Sequence, residues 1–279
     1  MSIIKPSRYR RPKGCYFGFV VLLVVICRAL SASAGSLGDG RDALARGDYE
    51  SAIQIWTPLA EQGNRIAQTA LGAMYNNGFG TPKNPATAAK WFRKAAEQGE
   101  AASQTELGLL YSEGLGVPQN YDEANKLFRL SANQGNATAQ YNLAVAYLKG
   151  HGVAINEKTA LSWARKAADQ GKIEGQTLVG SMYQMGKGVP QDYGSAANWF
   201  RRAAAQGDAF GQLMLGLMFA AGQGVPQDYV SAHMWTNLAA ASGNERAAEM
   251  REKVARQMSQ SQIAEAQRLA RDWRPKSEH

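Results

Sequence analysis

Three histidines, two cysteines and a recurring glycine pair are the residues whose types and spacing could support chemistry in this sequence. His151, His233 and His279 could ligate zinc. None falls at metal-ligand spacing from another, so no metal site and no cofactor is read from them. Cys15 and Cys27 both lie within the first 34 residues, and the rest of the chain has none. That excludes a disulfide framework, cysteine-ligated zinc and a thiolate nucleophile there. The one Ser-x-x-Lys, a spacing that pairs a hydroxyl nucleophile with an amine, is Ser2 to Lys5 in the same N-terminal segment. Five Gly-x-Gly pairs suggest phosphate cradles, but they recur at every turn of a repeat, where helix ends need them. The 11 tyrosines and six tryptophans hold fixed repeat positions, which assigns them to packing rather than to base stacking. Met182, Met185, Met214 and Met218 cluster in the helices A of repeats 4 and 5, where core filling is the expected role and an adaptable binding surface the alternative. Carboxylates are spread thinly, and no paired acid in an apolar pocket is evident.

The charge must be located before it is used. The 279 residues carry a net +8, but residues 1–34 hold six of the 31 basic groups and no acid. The other 245 residues carry 25 basic and 23 acidic groups, or +2, and lack the cationic footprint that nucleic acid requires. The first segment has a basic start (Lys5 to Lys13), an apolar run (Gly14 to Cys27), then Ala32-Ser33-Ala34. This is the layout of a secretory signal, with cleavage expected before Gly35. The run has 14 residues, short of the ~20 that span a bilayer. The expected product is periplasmic or secreted, with no membrane insertion after cleavage; the alternative is a retained N-terminal anchor facing outside the cytoplasm.

Self-similarity sets the fold. Five blocks of 36 residues start at Arg65, Ala101, Ala137, Ile173 and Ala209, as repeats 1 to 5 over 65–100, 101–136, 137–172, 173–208 and 209–244. Six repeat positions are identical in all five: Gln at 4, Gly at 14 and 16, Ala at 24 and 32, Gly at 35. Each block predicts two antiparallel helices. Helix A covers positions 1 to 13 and stops at the glycine of position 14. Helix B starts after an N-cap residue at position 20 (Asn84, Asn120, Asn156, Asp192, Asp228) and stops before position 35. Rings at position 27 (Trp91, Trp163, Trp199, Trp235) are expected in the core, beside the small residue of position 8. Residues 35–64 are read as a partial repeat or cap. Residues 245–279 are read as capping helices, with a Ser259-x-x-Gln262 capping box.

The pattern A-x-x-x-x-L-G-x-x-Y-x-x-G-x-G-V-P-x-D-Y-x-x-A-x-x-W-x-x-x-A-A-x-x-G, running over 65–244, resembles the Sel-1-like repeat family, a branch of the tetratricopeptide-type repeats. The resemblance implies an all-α, right-handed α/α superhelix (solenoid) that performs no chemistry and binds another protein, such as an envelope sensor or assembly component. A cysteine-rich branch of the family suggests the alternative of a cell-wall or β-lactam-directed hydrolase; the paired cysteines of that branch are absent here.

By analogy with tetratricopeptide repeats, positions 2, 5, 9, 12 and 13 of helix A line a concave groove. The candidate partner-binding residues are Thr105, Leu109 and Glu113 of repeat 2, Thr138, Tyr141, Val145 and Leu148 of repeat 3, and Thr177, Ser181 and Met185 of repeat 4. They vary where the framework does not. In repeat 5 the same positions, Phe210, Leu213, Leu217, Ala220 and Ala221, form an apolar patch expected to be covered by the cap.

Overall fold

The structure is a computed structural model that describes residues 35–276, so the signal segment read at 1–34 lies outside the described residues. Among the described residues there are fourteen α-helices and no strand. Before the repeats come α1 (Gly35–Ala45) and α2 (Tyr49–Glu61). Repeat 1 gives α3 (Arg65–Asn77) and α4 (Pro85–Glu97), and repeat 2 gives α5 (Ala101–Glu113) and α6 (Tyr121–Asn133). Repeat 3 gives α7 (Ala137–Lys149) and α8 (Glu157–Asp169), and repeat 4 gives α9 (Ile173–Met185) and α10 (Tyr193–Ala205). Repeat 5 gives α11 (Ala209–Ala221) and α12 (Tyr229–Ala241), followed by α13 (Glu245–Ala255) and α14 (Gln260–Asp272). The chain is an all-α repeat solenoid. It divides into two compact units, one ending at Pro118 and one beginning at Gln119.

The helix boundaries follow from local chemistry. Asn156 accepts from the Thr159 amide at 3.0 Å, and Asp192 accepts from Gly194 and Ser195 at 2.9 and 3.1 Å. Such caps contribute about 1 kcal/mol each. Helices A end at Gly78, Gly114, Gly150, Gly186 and Gly222, all with φ between 65° and 76°, the left-handed region that side chains avoid. The second glycine of each turn has a different task. A Cβ on Gly224 would lie 2.2 Å from the Tyr193 carbonyl carbon, and one on Gly188 2.4 Å from the Glu157 carbonyl oxygen. This glycine seats the turn on the first residues of the preceding helix B.

The core differs from the expectation at position 27. The tryptophans there are only partly buried, and the ring that meets the small residue of position 8 is at position 28. A Cβ on Gly72 would stand 2.6 Å from the Phe92 ring, and one on Gly180 2.9 Å from that of Phe200. Phe92 and Phe200 are fully buried. In repeat 3 the pair is Ala144 and Ala164, both fully buried. Trp163 lies beside that cluster, with the Lys166 ammonium 4.1 Å from its ring centre.

The C-terminal helices cover repeat 5 incompletely. Leu213 is buried with Ala239 and Ala247, and Leu217 packs partly against them. Phe210 remains 43% exposed, and Ala221 is exposed too. The capping box of Ser259 and Gln262 is formed. The helix it opens, α14, packs back on α12. Trp273 then meets Trp235 edge-on at 6.2 Å, and the Lys276 amide donates to the Ala205 carbonyl at 2.7 Å. On α13, Ala247 and Val254 are buried, while Glu245, Arg246, Glu249, Glu252 and Lys253 are exposed.

Candidate functional site

The helix-A faces are held by a polar frame that the invariant glutamines build. Gln68, Gln140 and Gln176 donate through Nε2 to the carbonyls of Ala60, Ala132 and Ala168, one repeat back, at 2.9, 3.2 and 3.4 Å. Their Oε1 atoms accept from Gln98, Gln170 and Gln206 at 2.8 to 3.0 Å. Each glutamine is at most 5% exposed, so this satisfaction matters: an unmet buried amide costs about 1–3 kcal/mol. A second set of bonds runs from position 29 to the next repeat's position 11. Arg93 donates to the Tyr111 hydroxyl at 3.0 Å, Arg129 to that of Tyr147 at 2.9 Å, and Arg165 to that of Tyr183. In repeat 5 position 11 is Phe219, and Arg201 donates instead to Asn198 at 2.7 Å.

On this frame the ten candidate residues separate. In the first unit, Leu109 is half-buried and Glu113 exposed. Thr105 is 3% exposed and donates its hydroxyl to the Ala101 carbonyl at 3.0 Å. Buried and bonded to its own helix, Thr105 offers no contact surface; at the same position of repeat 1, Thr69 shares a 2.8 Å bond with Ser103 of repeat 2. In the second unit, Thr138, Tyr141, Val145, Leu148, Thr177 and Ser181 are half-buried, and Met185 is 55% exposed. Leu148 also packs against the repeat 3 core. The Ser181 hydroxyl is turned inward, donating to the Thr177 carbonyl at 2.8 Å.

Charges gather at the N-terminal ends of α9 and α11. The Lys172 ammonium lies 5.8 Å from the Tyr141 ring centre and 3.2 Å from the Glu174 carboxylate. Burial, then Glu174, raises the Tyr141 phenol above its ordinary range. Asp208 caps α11 by accepting from the Gly211 amide at 2.6 Å. Burial pushes its carboxyl up, against the pull of that bond, and Glu174 adds to the rise. Tyr141, Lys172, Glu174 and Asp208 thus form one electrostatically linked group on the helix-A side of repeats 3 to 5. The first unit holds another raised carboxyl: burial, then Glu113, pushes Glu106 up to about 7.

Glu106, Lys172, Asp208 and Phe210 were absent from the sequence-based candidates. Two signals mark Glu106 and Lys172. Position 6 is otherwise uncharged (Ala70, Asn142, Leu178, Met214), and Lys172 stands where Asn136, Asp208 and Asn244 cap the next helix. Indeed α9 starts without a side-chain cap. Among the described residues, no group of three His, Cys, Asp or Glu side chains is placed to hold a metal, and no helix is long and apolar enough to cross a membrane.

The Sel1 repeat pattern matches the chain at residues 65–100, 101–136, 137–172, 173–208 and 209–244. Among solved structures, a Sel1 repeat protein from Oxalobacter formigenes is 30% identical with a TM-score of 0.74, over 88% of this chain and all of that one. Another, c5321, described as a protective antigen present in uropathogenic Escherichia coli strains with an SLR fold, is 29% identical with a TM-score of 0.42. It covers 91% of this chain and 71% of its own. No curated protein matches the chain. A repeat pattern that accounts for 65–244, on helices that pair and pack as described, places this chain in the Sel1 repeat family.

Proposed function

We propose that this chain is an exported scaffold that binds a segment of another protein on the helix-A face of its second unit, as part of an envelope-associated regulatory or assembly process. Sel1 repeats generally mediate contacts between proteins, which supports the class of function. The observation that carries the site is a division of labour within one helix. In α7 and α9 the framework residues Gln140, Leu143, Gln176 and Val179 are buried, while Tyr141, Val145, Thr177 and Met185 keep accessible surface, and Tyr141, Val145 and Met185 each stand where no other repeat has the same residue. The face offers an aromatic ring beside a lysine at one end and an exposed methionine at the other. Rings of this kind are frequent anchors at interfaces. The export reading rests on the N-terminal basic, apolar and small-residue layout.

Affinity capture from cell-envelope extracts, run with wild type, Tyr141→Ala and Met185→Asp, tests the reading. The expected result is a partner whose affinity falls about five- to thirty-fold in the Tyr141 variant, the loss typical of an aromatic hot spot. Helical content and melting temperature should stay at wild-type values. A partner bound equally by all three chains, or one mapped to helices B, would overturn the assignment.

A further inference from the structure

The outer face of α4 carries three cations that packing accounts for only in part. Lys90, Arg93 and Lys94 stand there against a single carboxylate, Glu97. Several cations elsewhere are paired: Arg65 with Glu100, Lys126 with Glu123, Arg202 with Asp169, and Arg268 with Glu265 and Asp272. Among the described residues Lys90 and Lys94 are exposed and have no ion-pair partner. Arg93 is held by its bond to Tyr111, so its guanidinium is fixed in place. Between them sits Trp91, partly buried, with the Lys94 ammonium 4.5 Å from its ring centre. A recess of about 420 Å³ runs along this stripe, lined by Thr87, Lys90, Trp91, Arg93, Lys94 and Glu97.

Covering the tryptophan accounts for Lys94 and for no other member of the cluster. A lysine over the ring also recurs in α8 as Lys166 over Trp163. Lys90 is what α4 adds, at the position where α8 has Ser162. An unpaired cluster of one sign attracts its opposite and steers its approach. From Thr87 to Glu97 a helix rises about 15 Å, the span of four or five extended residues. We propose that this stripe is a second docking surface, separate from the helix-A face, and that its occupant is a short acidic segment of a partner protein. Its carboxylates pair with Lys90, Arg93 and Lys94, and its chain lies along Trp91 and Thr87.

Fluorescein-labelled pentaglutamate titrated into the full chain, read by anisotropy at low ionic strength, tests the proposal. The Lys90→Glu/Lys94→Glu variant should weaken binding at least tenfold. The Lys158→Glu/Lys166→Glu variant reverses the same amount of charge on α8 and should stay within twofold of wild type. Tyr141→Ala should also leave pentaglutamate binding unchanged, so failure here and failure of the helix-A reading are separable. All four side chains changed on α4 and α8 are exposed, and melting curves check that the fold is kept. Equal weakening by both charge reversals would reduce the effect to net charge and overturn the proposal. No pentaglutamate binding by wild type would also overturn it. So would binding to phosphatidylglycerol vesicles, abolished by Lys90→Glu/Lys94→Glu, in a chain that ignores the peptide.

Discussion

Repeats 3 and 4 solve one packing problem in two ways. Repeat 4 places the fully buried Phe200 against Gly180, and repeat 3 places Ala164 against Ala144. The larger residue in helix B demands the smaller one in helix A. What is specified is the summed volume across the pair, since interiors are packed to near-crystalline density. The glycine costs about 1 kcal/mol of helix propensity, and the buried ring offsets it.

The largest predicted effect tests that pairing. Phe200→Ala should cost about 3–5 kcal/mol, the usual loss for a buried ring. Gly180→Ala alone should also destabilise, because its Cβ would stand 2.9 Å from the ring. The double variant recreates repeat 3 and should be more stable than Phe200→Ala alone. Denaturant unfolding of the four chains measures the coupling. Strict additivity would show that the two positions do not share one space.

Repeats 4 and 5 sharpen the comparison at the next size down. Gln176 has both ends of its amide bonded, whereas Gln212 donates to Ala204 at 3.4 Å and its buried Oε1 has no partner. The reason is local: position 34 is Gln206 in repeat 4 and Ser242 in repeat 5. Ser242 donates to its own helix, to the Leu238 carbonyl at 3.4 Å. Gln176→Leu should therefore cost about 1–3 kcal/mol, and Gln212→Leu clearly less. Ser242→Gln should restore the missing donor and raise the melting temperature.

The smallest effect separates the two units by pH. Glu106 has a folded pKa of about 7, above its unfolded value, because burial and Glu113 disfavour the charge. The first unit is therefore held back at neutral pH and gains stability as pH falls from about 7 toward 4.5. His233 is 3% exposed with an unbonded Nδ1, and burial, then Arg251, lowers its pKa. It must charge in the unfolded chain first, so the second unit loses stability as pH falls below about 6.5. Glu106→Gln should stabilise at pH 8 and not at pH 4. His233→Leu, which copies Leu161 of repeat 3, should flatten the loss between pH 7 and 5. Hydrogen exchange resolved by segment reads both signs.

The 36-residue period, the caps and the left-handed glycines were legible because each depends on a few neighbouring residues. The identity of the core ring was not. Tryptophan at position 27 is conspicuous, yet the invariant alanines at 24 and 32 lie on one helical face, with position 28 midway between them. That spacing held the answer. The glutamine frame was visible as invariance and silent as to partner, since its acceptor lies one repeat back. The candidate face transferred from related repeats only in part. Its position 5 is open at Tyr141 and Thr177 but closed at Thr69, Thr105 and Leu213. Which of these a neighbour covers depends on side chains from two copies at once.

The exposed face of α13 has a consequence for assembly. A repeat presents to its successor the same kind of surface that it received, so an array with an apolar last face would recruit another copy head to tail and grow without limit. Here that face carries Glu245, Arg246, Glu249, Glu252 and Lys253, and the following helix turns back on α12 instead of offering a new partner. Charge on that face makes the stacking of a further copy costly, where an apolar face would invite it.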